Sequence, residues 1–128
     1  MDGFVSKPAS RILVVEDEPD IRAYIALALE DEGFEVLSAA DASEAFEQLT
    51  SDVGISLLIT DIRIPGSVDG KLFAGVAAEY RPDMPILVIS GYGEPSEGEL
   101  PPHARFIPKP FVAHYLIAQV LSLLNERP

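Results

Sequence analysis

The chain has 128 residues, 48% of them hydrophobic, which suffices for one domain with a substantial core. Its 21 acids against 9 bases leave a formal net charge of −12, which argues against direct nucleic-acid binding and suits a Mg²⁺ site or a partner with a basic face. Cysteine is absent, which excludes disulfide and thiolate chemistry, and no apolar run approaches the roughly 20 residues that a membrane crossing takes. Residues 1–10, MDGFVSKPAS, lack the apolar centre of a signal peptide and read as a short flexible leader. A cytoplasmic domain over 11–125 is the expectation.

RILVV (Arg11–Val15) is a continuous apolar run ending in acids, as in a strand covered on both faces. Pro19 is a favourable first helical residue; Ile21, Tyr24, Ile25, Ala28 and Leu29 follow at helical spacing until Gly33 supplies a stop. Phe34–Ala39 reads as a second strand. Asp41 can cap a short helix carrying Ala45, Phe46 and Leu49 on one side. Ser56–Thr60 is the third strand, and Leu72, Phe73, Val76, Ala77 and Tyr80 mark a third helix closed by Pro82. Pro85–Ser90 and Arg105–Ile107 read as strands four and five. A last helix over Val112–Asn125 turns Leu116, Ile117, Val120, Leu121 and Leu124 inward. Between strands four and five, GYGEPSEGELPPHA carries three glycines and three prolines, so this crossover is expected to be irregular or mobile, without a rigid helix.

Strands alternating with helices imply an α/β fold, a doubly wound parallel sheet with right-handed crossovers. Ligands of such sheets gather beyond the carboxyl ends of the strands. There the chain places Glu16 and Asp17 after strand one, Asp61 at the end of strand three, Ser90 at the end of strand four and Lys109 after strand five. Clustered carboxylates repel, and so demand a cation or a raised pKa. Mg²⁺, or Mn²⁺, accepts such oxygens. With a cation present an aspartate can stay ionised and attack phosphorus, while the ion and a lysine neutralise the equatorial oxygens. Asp61, alone on the central strand, is the best nucleophile. Asp17 is the best direct metal ligand, with Glu16 acting through water; a hydroxyl such as that of Ser90 can hold a further oxygen.

The segments VVEDEPD, LLITDIRIPG–VDG, ILVIS and FIPKPF, in this order and each at a strand end, resemble the receiver domain of bacterial two-component response regulators. The resemblance covers about residues 11–124. It implies a flavodoxin-like, five-stranded sheet in order 2-1-3-4-5, a topology for which a receiver is itself a standard example. It also implies Asp61 as phosphoacceptor, metal binding by Glu16, Asp17, Asp61 and the backbone carbonyl of Arg63, and phosphate contacts from Ser90 and Lys109. Phe106 falls at the family's aromatic switch position. Arg63 and Tyr92 fall where phosphoryl lifetime is tuned, and Lys109–Pro110 where a cis bond occurs. For Phe106 packing is the simpler role, and for Arg63 and Tyr92 plain exposure. The implied partners are a histidine kinase or phosphotransfer protein and a downstream protein target, with the chain a monomer that binds no membrane.

Four features depart from the family pattern. Glu16 stands where aspartate is commoner, Phe106 lacks the hydroxyl of the frequent tyrosine, Pro108 removes a backbone donor, and the fourth crossover helix is shortened or absent. The last is similar to stand-alone receivers found beside general-stress kinases in alphaproteobacteria. The leading expectation is therefore a single-domain phosphoacceptor that signals by protein contact and is not an enzyme in the turnover sense. A phosphorylation-independent interaction module on the same fold is the alternative. A phosphohydrolase is disfavoured, because Arg63 stands where such enzymes carry a second acid. No Walker loop or GxGxxG supports nucleotide binding. His103 and His114 lack metal-ligand spacing and read as surface or structural residues.

Overall fold

A computed structural model describes residues 10–52, 54–62, 70–91 and 100–126. The elements run β1 (Arg11–Val15), α1 (Pro19–Asp31), β2 (Glu35–Ala39), α2 (Ala42–Ser51), β3 (Ile55–Asp61), α3 (Gly70–Tyr80), β4 (Ile86–Ser90), β5 (Ala104–Pro108) and α4 (Ala113–Glu126). All strands are parallel, in the order β2-β1-β3-β4-β5. The expected doubly wound sheet is therefore present.

Alternation along the strands divides the core in two. Leu13, Val15, Leu58, Ile86 and Val88 face α2 and α3, where Ala42, Ala45, Leu49, Phe73, Ala74 and Ala77 meet them. Ile12, Val14, Leu57, Ile59, Leu87, Ile89 and Ile107 face α1 and α4, against Ile25, Leu29, Leu116, Ile117, Val120 and Leu123. The central strands read as unbroken apolar runs because both of their faces are covered.

Local chemistry sets the element ends. Pro19 opens α1, and Gly33, at φ +94°, closes the turn after it. Asp41 accepts the Glu44 N–H at 2.8 Å, and the Glu44 carboxylate accepts the Ala40 N–H at 2.8 Å, a reciprocal cap on α2. Tyr24 is not a core residue as its spacing suggested. It is 45% exposed, and its hydroxyl accepts the Ala113 N–H at the start of α4.

Three helix faces also differ from the periodic reading. Phe46 lies at the surface, edge-to-face with Tyr80 at 5.8 Å between ring centroids. On α3, Leu72, Val76 and Tyr80 are exposed while the small Ala74 is buried with Phe73 and Ala77. Large strand residues already fill that layer, so the helix approaches through its alanines. On α4, Leu123 is buried and Leu121 is exposed.

Among the described residues no helix lies between β4 and β5; residues 92–99 of that crossover, with Tyr92, fall outside them, as do Arg63 and residues 1–9 of the leader.

Candidate functional site

The carboxyl rim of the sheet collects the site. β1 runs into Glu16, whose N–H still donates to Ala39 O at 3.0 Å and so extends the ladder by one residue. β3 delivers Asp61 as its last residue, in register with Ile89 of β4. Ser90 comes next on β4, and its carbonyl accepts the Lys109 N–H at 2.8 Å. Lys109 follows β5 and precedes Pro110 through a cis bond. Glu16, Asp61 and Ser90 are all buried.

The Lys109 ammonium reaches across two strands, donating to Asp61 Oδ2 at 2.6 Å. It also stands 2.7 Å from Glu16 Oε1 and 4.0 Å from Glu18 Oε1. At 2.7 Å the Glu16 contact is a close ion pair inside the buried site. Glu16 Oε2 accepts the Glu18 N–H at 3.1 Å. Burial, the largest influence, raises the Glu16 pKa, and the Asp61 charge adds to this; Lys109 and the Glu18 N–H offset only part. For Lys109, burial acts to lower the pKa, yet the Asp61 and Glu16 contacts together raise it. The ammonium is therefore charged at neutral pH and holds together acids that would otherwise repel.

Carboxylate oxygens of Glu16, Asp17 and Asp61 lie within 4.8 Å of one another. Three carboxylates, two of them buried, gathered beside a single ammonium are an oxygen donor set that suits a hard divalent cation such as Mg²⁺ or Mn²⁺. Asp17 is exposed, so an ion can approach from solvent. The structure thus brings Glu16, Asp17, Asp61 and Lys109 together, with Ser90 on the adjoining strand end. Phe106 lies half-buried against the α2–α3 side of the core, as packing requires. Arg63 and Tyr92 lie outside the described residues.

Three supporting residues escaped the sequence reading. A Cβ on Gly70 would overlap the carbonyl oxygens of Asp61 and Ile62, so α3 can begin against the Asp61 strand end only with glycine there. The Gly70 N–H donates to Ile62 O at 2.8 Å. Thr60 Oγ1, fully buried, donates to Asp61 O at 3.0 Å. Arg22, on the first turn of α1, donates to Glu16 O at 2.7 Å and to Asp17 O at 3.4 Å. A glycine opening the helix after an acid-bearing strand was the available signal for Gly70; nothing in the apolar spacing marked Arg22.

A parallel doubly wound sheet with acids and a lysine converging at its carboxyl rim defines a receiver-like signalling domain. Residues 12–121 match the model of the response regulator receiver domain, and the chain belongs to that family, whose members are signalling domains and not classical enzymes. It is 33% identical to the response regulator receiver protein CpdR of Brucella abortus, over 89% of this chain and 96% of that protein. The nitrogen assimilation regulatory protein NtrX of Azorhizobium caulinodans is 36% identical over 85% of this chain, which spans only 25% of NtrX. A crystal structure of a response regulator receiver protein from Sinorhizobium medicae superimposes with a TM-score of 0.85 at 36% identity, covering 94% of this chain and 98% of that one. No helix among the described residues is long and apolar enough to cross a membrane.

Proposed function

We propose that Asp61 accepts a phosphoryl group from a histidine kinase or phosphotransfer protein in the cytoplasm, and that the phosphorylated chain, a monomer, signals by contact with a downstream protein. The observation that carries this reading is the convergence on one rim of Asp61, Glu16 and Asp17 with the Lys109 ammonium, 2.6 Å from Asp61 and 2.7 Å from Glu16. Asp17 and Asp61 would hold Mg²⁺ or Mn²⁺ directly, with Glu16 through water and the Arg63 carbonyl completing the set. The ion supplies charge neutralisation for the transferred group.

The chain's own residues do the rest. A carboxylate oxygen of Asp61 forms the new bond to phosphorus as the bond to the donor's leaving nitrogen breaks, giving an acyl phosphate. Lys109, already bonded to Asp61, offsets the negative charge that the group brings. The Ser90 hydroxyl, carried on the strand end whose carbonyl holds the Lys109 backbone, takes a phosphoryl oxygen. The new charge biases an existing equilibrium near Ser90 and Phe106. An interaction module indifferent to phosphorylation would have no use for a buried acid pair held by a lysine.

Incubation with acetyl phosphate and Mg²⁺ followed by intact mass tests the assignment. One phosphoryl adduct is expected on the wild type and none on Asp61→Asn. No adduct on the wild type, or equal adducts on both, would overturn it.

A further inference from the structure

Arg22 stands at the back of the acidic loop. Its guanidinium Nη1 donates to the carbonyls of Glu16 and, at greater length, Asp17, two consecutive residues whose side chains enter the carboxylate cluster. The same residue is tied down by its backbone, since Arg22 N donates to Glu18 O at 2.9 Å in the first turn of α1. Loop and helix therefore form one closed ring, from Glu16 through Pro19 to Arg22 and back through the guanidinium. Pro19 has no N–H with which to brace the loop itself. Holding a carbonyl fixes its peptide plane, and the plane fixes the direction in which the neighbouring side chain leaves the backbone.

We propose that Arg22 is a positioning residue for the cation site: by holding the Glu16 and Asp17 carbonyls it presents the two carboxylates to a divalent ion. This rests on the reading of the cluster as a cation site. Arg22 acts through other groups and is not itself a ligand.

The sign of its effect separates positioning from plain electrostatics. A positive charge beside an acidic cluster opposes cation binding, so its removal should by Coulomb's law tighten binding. Loss of a positioning contact should weaken it, and outer contacts to metal ligands typically contribute about 10- to 100-fold in affinity. Arg81 provides the control, because its guanidinium also donates to a carbonyl, Ile55 O at 2.6 Å, at the other end of the sheet.

The experiment is a Mn²⁺ titration of the full chain, with free Mn²⁺ read by electron paramagnetic resonance and melting temperature recorded in parallel. Arg22→Met keeps the aliphatic stem and removes charge and donors, and Arg22→Gln is a second neutral variant. Both should bind Mn²⁺ roughly tenfold more weakly. Arg22→Lys, which keeps a nitrogen donor, should recover most of the affinity. Arg81→Ala should melt lower and bind as the wild type does. A wild type that binds no Mn²⁺ overturns the cation-site reading and this inference with it. Neutral Arg22 variants that bind as tightly as wild type or tighter, an Arg22→Lys no better than Arg22→Met, or an equal loss in Arg81→Ala would each overturn the positioning role alone.

Discussion

The two rims of one sheet treat charge in opposite ways. At the amino rim, Arg11 pairs with Glu35 at 2.6 Å and Asp52 at 3.0 Å, and Arg105 pairs with Glu126 at 2.8 Å, all on partly or well exposed side chains. At the carboxyl rim, a single ammonium faces Glu16 and Asp61, both buried, with Asp17 beside them. The first arrangement is solvated, and such pairs contribute little to stability. The second confines more acid than base away from water, a state that a protein retains for chemistry at some cost to stability.

Lys109→Ala should break this contrast most severely. It leaves two buried carboxylates uncompensated, and the apo chain should lose about 3 kcal/mol by urea denaturation, the low end for a broken buried pair because the lysine keeps some solvent contact. Added Mg²⁺ should restore part of the loss; full stability without metal would remove the basis for treating the rim as charge-strained.

A smaller effect, but a sharper one, concerns pH. Burial raises the Glu16 pKa, so the folded chain holds that proton more tightly than the unfolded chain does. Its contribution to stability is full below the ordinary value of 4.5 and is lost as pH rises through the folded value. Glu126 behaves in the opposite sense. The Arg105 hydrogen bond, then that of Ser122, lowers its pKa, so its contribution is present above 4.5 and lost as pH falls through the folded value. Urea midpoints measured without divalent ions from about pH 3 to 8 should therefore show Glu16→Gln gaining on wild type toward neutrality. Glu126→Gln should lose its small deficit toward acid. Slopes of the same sign would end the contrast between the rims.

The smallest effect is expected for Arg11→Ala. Its pairs are exposed, so the melting temperature should fall only slightly, and the difference should shrink further in molar salt. A large, salt-independent loss would show the amino rim to be less solvated than its side-chain exposure indicates.

The parallel sheet covered on both faces was legible in the sequence because runs such as RILVV and PILVIS alternate with amphipathic helices, whereas the strand order followed from the resemblance to receiver domains and not from the apolar pattern. Asp61 and Lys109 were legible because polar residues interrupt those runs at one end. The helix faces were read less well. On α3 the apolar pattern favoured Leu72 over Ala74, since it weighs side-chain size and not the room left by the opposing strand; on α4 it took the step from Ile117 to Leu121, where the buried face runs from Leu116 and Val120 to Leu123. Arg22 and Thr60 escaped because their work is done on backbone carbonyls, which a residue pattern does not display.

Pro108 has a consequence at a larger scale. The Lys109 N–H points toward β4, so by strand alternation the Pro108 nitrogen points away, to the side where no described strand pairs. The proline therefore sacrifices no ladder bond. It also deletes a donor from the β5 edge, one of the two margins, with β2, where a neighbouring molecule could add a strand. A residue that looked like a blemish next to the lysine leaves that edge a poorer template for pairing with another chain.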